Sequence, residues 1–93
     1  MKDIRKYIIF KMQEQPKTKK VMEPNFTRPF IRPGKYAVTE KELYTSSALY
    51  SVEEVIVALR LMTEQSLVVK KSIRRKYDSL DFFSPSPNHF SLY

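Results

Sequence analysis

Two helix-start signatures, twelve residues apart, constrain the fold of this chain more than any other feature. Thr39 is followed three residues later by Glu42, and Ser51 is followed three residues later by Glu54. In such a pair the hydroxyl accepts a hydrogen bond from a free N–H of the first helical turn. The carboxylate in turn accepts one from the backbone N–H of the hydroxyl residue. Because an apolar-periodic segment follows each pair, the sequence predicts two consecutive helices joined by a short turn.

The remaining pattern predicts a further helix at the start and a hairpin at the end. Asp3 can cap a first helix, in which apolar side chains recur at helical spacing until Pro16. Basic residues follow a Leu-Val-Val run after the third helix, and an aromatic run returns from them. We expect helices at 3–14, 40–45 and 52–65 and hairpin strands at 67–71 and 77–83. This order predicts an α+β fold with three helices and a C-terminal β-hairpin.

Residues 16–37 lie between the first two helices and are called the basic arm below. Four prolines and the lone Gly34 fall in this stretch, so regular structure is not expected to continue far. Its two phenylalanines, Phe26 and Phe30, alternate with arginines, which suits stacking on unpaired bases or packing into crevices of folded RNA. We expect a flexible loop or an extended arm laid on another surface. We place one domain at 1–83, followed by an extended tail at 84–93.

The charge of the chain is unevenly distributed and favours a polyanionic partner. The net charge is +7, and most of the excess lies in the basic arm and at the hairpin. Ordinary solubility charge is the alternative explanation. Clusters of this kind on irregular segments contact phosphates without reading sequence. The candidate nucleic-acid-binding residues are Lys17, Lys19, Lys20, Arg28, Arg32, Lys35, Lys70, Lys71, Arg74, Arg75 and Lys76.

The order of elements resembles a winged helix-turn-helix domain, and the spacing of the apolar residues supports this. Counted from Ser51, the matching positions are Val55 at +4, Ala58 at +7, Leu59 at +8, Met62 at +11, Leu67 at +16 and Val68 at +17. The family usually has a glycine before the wing, at a left-handed backbone position. Here Ser66 occupies that place, which implies either modest strain or a different turn. The resemblance covers residues 38–83.

Within that fold, the chain is similar to the winged-helix proteins of the eukaryotic small ribosomal subunit. The matching residues are Ile4 to Lys11, Lys19, Lys20, Pro24, Val55, Ala58, Val68, Arg75 and Tyr77. This resemblance implies a non-enzymatic, RNA-binding structural component that contacts ribosomal RNA and neighbouring ribosomal proteins. A small DNA-binding transcription regulator is the alternative that we keep.

The start of the third helix does not have the residues that usually read bases. Its first turns carry Glu53, Glu54 and Val57, and its one cation, Arg60, follows more than two turns in. A groove-reading helix normally presents Arg, Lys, Asn or Gln there. The carboxylates more simply complement the positive end of the helix dipole. They also leave open a third class, a protein-interaction module that uses the acidic face of this helix.

Nothing in the sequence predicts catalysis, a metal site or a cofactor. There is no cysteine, and the single histidine, His89, falls in a Pro/Ser tail. Asp78 and Asp81 have no paired base, and one glycine excludes a Gly-rich phosphate loop. No apolar run approaches the roughly 20 residues of a membrane-spanning helix. We therefore expect a cytoplasmic protein with no membrane partner and no small-molecule substrate.

Overall fold

The computed structural model describes residues 3–14, 18–23 and 25–87. Its elements in chain order are α1 (Ile4–Glu14), β1 (Lys20–Val21), β2 (Phe30–Ile31), α2 (Glu40–Thr45), α3 (Val52–Glu64), β3 (Val68–Arg74) and β4 (Ser79–Pro85). Within these ranges, β1 pairs with β2 and β3 pairs with β4, each in an antiparallel two-stranded sheet. The predicted α+β domain with three helices and a C-terminal hairpin is confirmed at this level.

Both predicted capping boxes are present. Glu42 N–H donates to Thr39 Oγ1 over 3.1 Å, and Thr39 N–H donates to Glu42 Oε1 over 2.9 Å. The second box has the same bonds between Ser51 and Glu54, at 3.2 and 3.0 Å. The predicted cap of α1 is also confirmed, because Asp3 Oδ1 accepts from the N–H of Arg5. These short-range bonds satisfy N–H groups that the helices cannot satisfy internally.

The helix α3 ends at a left-handed residue, Ser66. Ser66 has φ 63°, the left-handed conformation expected at that position. Leu67 N–H donates to Met62 O over 2.9 Å, and Ser66 N–H donates to Thr63 O over 3.2 Å. Together these bonds form a Schellman motif, which closes a helix with one left-handed residue. Ser66 therefore adopts a left-handed conformation at the steric cost of its side chain.

The hairpin is longer than the sequence predicted, and its return strand begins later. Val68 pairs with Pro85 and Arg74 with Ser79, so β4 extends past residue 83. Ser86 N–H then donates to Leu67 O over 3.0 Å, and both Pro85 and Ser86 are buried. Ser84 and Pro85, which the sequence analysis assigned to the tail, thus belong to β4. Proline is tolerated here because it ends the strand, where no ladder donor is needed. Residues 88–93 of the predicted tail, with His89, lie outside the described residues.

The main core lies between the helices and the hairpin. One face of α1 packs against α3, and α3 packs against both α2 and β3. The buried members of this cluster are Ile8, Ile9, Met12, Val38, Leu43, Val55, Ala58, Leu59, Met62, Val68 and Phe83. Val38 also exchanges two backbone hydrogen bonds with Phe83, at 2.8 and 2.7 Å. This short bridge places Val38, two residues before the start of α2, at the edge of the hairpin sheet, where a third strand would lie.

The basic arm folds back on the domain, which is the second of the two arrangements expected from the sequence. β1 and β2 form a small sheet within it, and Phe30 is only 2% exposed. Phe30 packs with Val21, Ala37 and Phe82 in a second buried cluster. Burial of a phenylalanine contributes about 1.5–3 kcal/mol relative to exposure, which favours the docked arm. Lys17, Pro16 and Pro24 of the arm lie outside the described residues.

Candidate nucleic-acid interface

Arg32 lies near the end of the arm and connects the start of the arm, at Thr18, to the start of α2, at Glu42. Its guanidinium donates to both carboxylate oxygens of Glu42, over 2.8 and 2.7 Å, and to the carbonyls of Ala37 and Thr18, over 2.9 and 2.6 Å. The side chain is 7% exposed. Its donors are therefore used inside the protein, and the geometry gives Arg32 a structural role.

The carboxylate that receives Arg32 has a perturbed pKa. Partial burial by itself would raise the pKa of Glu42. The hydrogen bonds from Arg32 and from the Thr39 N–H outweigh that effect, so the pKa lies below its ordinary value. Glu42 thus remains ionised while it both caps α2 and holds the arm.

Arg75 is a second anchor, and it connects the hairpin turn to the arm at Arg28 and Pro29. It forms a two-pronged ion pair with Asp78, at 2.7 and 2.8 Å, and donates to the carbonyls of Pro29 and Arg28, both at 2.9 Å. Its guanidinium carbon lies 3.6 Å from the centre of the Phe30 ring. The hydrogen bond from Arg75 lowers the pKa of Asp78, and the charges of Arg75 and Arg28 act in the same direction.

These contacts divide the ten candidate cations in the described residues into two groups. Arg32 and Arg75 are engaged by protein carboxylates and carbonyls, so we leave both out of the proposed interface. From the sequence they were indistinguishable from their neighbours, because their partners are brought near only by folding of the arm. The one local signal was Asp78, three residues after Arg75.

The other described candidates lie on the surface. Lys19, Lys20, Arg28, Lys35, Lys70, Lys71, Arg74 and Lys76 are all exposed. Lys35 and Lys76 make cation–π contacts with Tyr36 and Tyr77, and the charge of Arg28 acts on Asp78. Lys17 lies outside the part of the chain that the structure describes. Because these eight side chains are exposed, a phosphate can approach them.

The exposed cations lie mainly in three places: the hairpin turn, the arm and the strand β3. Arg28, Arg74 and Lys76 surround the hairpin turn, because Arg75 ties the backbone of Arg28 to that turn. Lys19 and Lys35 border a hollow of about 330 Å³ beside Arg32, where the start and the end of the arm come together. Lys70 and Lys71 continue the basic surface along β3. Since neighbouring strand residues point to opposite faces, these two lysines charge both faces of the hairpin.

The aromatic residues of the arm do not have the predicted stacking role. Phe30 is buried, and half-buried Phe26 packs edge-on against it, with ring centres 4.7 Å apart. The aromatic on the basic surface is instead Tyr77, which is 89% exposed. The sequence placed Tyr77 at the start of the return strand, whereas the structure places it in the turn before Ser79. The local sequence pattern could not place Tyr77 in the turn, because the neighbouring Arg75 is held by arm carbonyls that are distant in the sequence.

The exposed surface of the first two turns of α3 is acidic and apolar. Glu53 and Glu54 are exposed, and Glu54 is already used by the capping box. Farther along, Val57 is 57% exposed and Leu61 is 49% exposed. The bidentate donor of this helix in the described structure, the exposed Arg60, comes only in its third turn.

The described residues contain no cluster of three or more His, Asp or Glu side chains that could hold a metal ion. Asp78 is paired with Arg75, and Asp81 accepts a 2.6 Å hydrogen bond from the Ser72 hydroxyl. Over the same ranges, no helix has the length and apolarity required to cross a bilayer. No protein-family model, curated protein or solved structure matches the chain.

Proposed function

We propose that this chain is a non-enzymatic RNA-binding protein that grips phosphates with the exposed cations of the basic arm and hairpin. The proposal rests on one observation: these cations are exposed, while Arg32 and Arg75 hold the segments that bear them in place. Anchoring reduces the ordering cost of binding, and exposure leaves the charge available to phosphate. The net charge of +7 acts in the same direction.

We further propose a winged helix-turn-helix architecture for the domain. The order α2, α3, β3 and β4 supports it, as does the bridge of Val38 to Phe83 ahead of α2. The left-handed Ser66 between α3 and the hairpin supports it as well. In this architecture β3 and β4 form the wing, which carries most of the hairpin cations.

Structured RNA is the partner that this surface favours over a base-read DNA operator. A reader of the major groove presents donors from the start of its recognition helix, and α3 presents Glu53 and Glu54. Folded RNA is recognised through phosphates, shape and unpaired nucleotides, for which a basic arm and hairpin are suited. We therefore propose a structural role in a ribonucleoprotein, specifically the small ribosomal subunit in the cytoplasm, beside ribosomal RNA and neighbouring ribosomal proteins.

The test is competition between an RNA stem-loop and a DNA duplex of equal length, measured by fluorescence anisotropy over a salt series. A triple variant, Lys70→Ala with Arg74→Ala and Lys76→Ala, removes three hairpin cations. Each lost phosphate contact makes the slope of log K against log salt shallower by about 0.7–0.9, so we expect a change of about 2. Preference for the DNA duplex would instead support the transcription regulator.

A matched control removes the same charge elsewhere. Lys6, Lys41 and Arg60 are exposed cations outside the arm and the hairpin. Changing all three to Ala should leave the salt slope nearly unaltered. If both triple variants flatten the slope equally, binding depends on overall charge and the proposed interface is wrong.

A further inference from the structure

We propose that Tyr77 is a stacking platform for one unpaired nucleobase of the bound nucleic acid. This inference rests on the proposed function and deepens it, because it specifies the ligand as a loop, bulge or single strand. Tyr77 lies at the tip of the hairpin, between Lys76 and Asp78, and its side chain is 89% exposed. Among the described aromatic residues, the next in exposure is Phe10 at 43%.

The tip is held in place before any ligand arrives. Arg75 N–H donates to Asp78 O over 2.8 Å, which closes the turn around Lys76 and Tyr77. The Arg75 side chain fixes Asp78 on one side and the arm carbonyls of Arg28 and Pro29 on the other. A ring presented by a fixed turn loses little conformational entropy on stacking, so the contact contributes most of its intrinsic strength.

One side of the Tyr77 ring is already associated with a cation. Lys76 Nζ lies 5.3 Å from the ring centre, within the range of a cation–π contact. The opposite side of the ring remains available to a flat base. Every base has a π face, so this stacking tolerates any sequence.

The charges around the ring match the backbone of a base that has left its stack. Arg74 and Lys76 precede Tyr77 along the chain, and Arg28 is brought to the same turn through Arg75. The carboxylate of Asp78, which follows Tyr77, is paired with Arg75. These cations can contact the phosphates on either side of a splayed nucleotide. A fully paired duplex offers phosphates to the same cations but presents no free base face to the ring. The ligand class is therefore an unpaired nucleotide with its flanking phosphates.

The experiment uses the full chain and two RNAs that share one stem. The first RNA carries 2-aminopurine in an unpaired loop, and the second is the same stem as a closed duplex. The variants are Tyr77→Phe, which keeps the ring, and Tyr77→Leu, which keeps an apolar side chain without one. The wild type and Tyr77→Phe should both quench the 2-aminopurine emission. Tyr77→Leu should lose that quenching and bind the loop about five- to a hundredfold more weakly.

Duplex affinity separates this inference from the proposed function. It should be the same in all three proteins, because the phosphate contacts do not involve the ring. A DNA copy of the loop should also be quenched, because stacking involves the base and not the sugar. The ratio of the RNA-loop and DNA-loop affinities then distinguishes the two sources of the base. Unchanged quenching and loop affinity in Tyr77→Leu, or an equal loss on loop and duplex, would overturn the stacking role alone. If the wild type binds neither RNA, the proposed function itself fails.

Discussion

Arg32 and Glu42 are joined by two parallel hydrogen bonds, Nη1 to Oε1 at 2.8 Å and Nη2 to Oε2 at 2.7 Å. The same carboxylate also accepts the N–H of Thr39, the residue that caps α2. A single side chain therefore both starts a helix and fixes the basic arm. The position of the arm cations depends on this pair, which makes it the first place to test the structure.

Replacing Glu42 by Ala should destabilise the domain by about 2–4 kcal/mol, since it removes a helix cap and leaves a buried guanidinium without its anion. Urea denaturation measures the change. Glu54→Ala is the matched control, because Glu54 occupies the same position in the second capping box but is exposed and has no arginine partner. It should cost about 0.5–1 kcal/mol. Equal losses in the two variants would show that the Arg32 contact contributes nothing beyond the cap.

The stability of the domain should fall in acid, and Glu42 should account for part of the fall. Its folded pKa lies below the ordinary 4.5, so the unfolded chain takes up the proton first as pH decreases. The stabilisation is fully present above pH 4.5 and is lost as pH falls through the lower folded value. Asp78 adds a loss of the same sign, below its ordinary 3.8. Thermal unfolding of the wild type and Glu42→Gln from pH 7 to 3 tests this, and the variant should show a shallower decline. Parallel curves would contradict it.

Ser66→Gly should stabilise the protein by about 0.5–1 kcal/mol, because glycine adopts φ 63° without steric cost. The greater loss of backbone entropy by glycine on folding offsets only part of this gain. The comparison is Gln65→Gly at the preceding residue, whose φ is −82°. There no strain is relieved, so the same substitution should destabilise. Denaturant midpoints of the two variants should move in opposite directions from the wild type, and movement in the same direction would mean that Ser66 is not strained.

Arg75→Lys should loosen the arm without changing the net charge. Lysine cannot reproduce the planar fork that holds Asp78 and the two arm carbonyls at once. Hydrogen exchange, read by mass spectrometry, should become faster in residues 25–37 and in the hairpin turn, while α1 and α3 stay protected. The control is Arg74→Lys, whose side chain is exposed, and it should leave the exchange pattern unchanged. Uniformly faster exchange would indicate a general loss of stability instead of release of the arm.

Local patterns in the sequence were enough to predict much of the backbone. The capping boxes are closed by residues three apart, and the left-handed turn at Ser66 is closed by residues at most five apart. The apolar spacing from Val55 to Val68 correctly indicated one face of α3 and the start of the hairpin. Signals of this kind are readable because the interacting groups are near neighbours along the chain.

The roles of the basic arm depended on contacts that no local pattern contains. Arg75 reaches carbonyls 46 and 47 residues away, and Phe30 is buried by Phe82 from the opposite end of the chain. The sequence predicted that Arg32 and Arg75 contact phosphates and that Phe30 stacks on bases or packs against RNA. In the structure, all three side chains make their contacts within the protein.

By itself, then, the sequence determined where the helices and the hairpin begin and how much positive charge they carry. Only the tertiary structure decided which cations are paired with groups of the protein and which remain exposed. It also decided that Tyr77 lies at the tip of the hairpin. The reason is physical: a side chain's burial and partners are set by whichever distant segment folds against it.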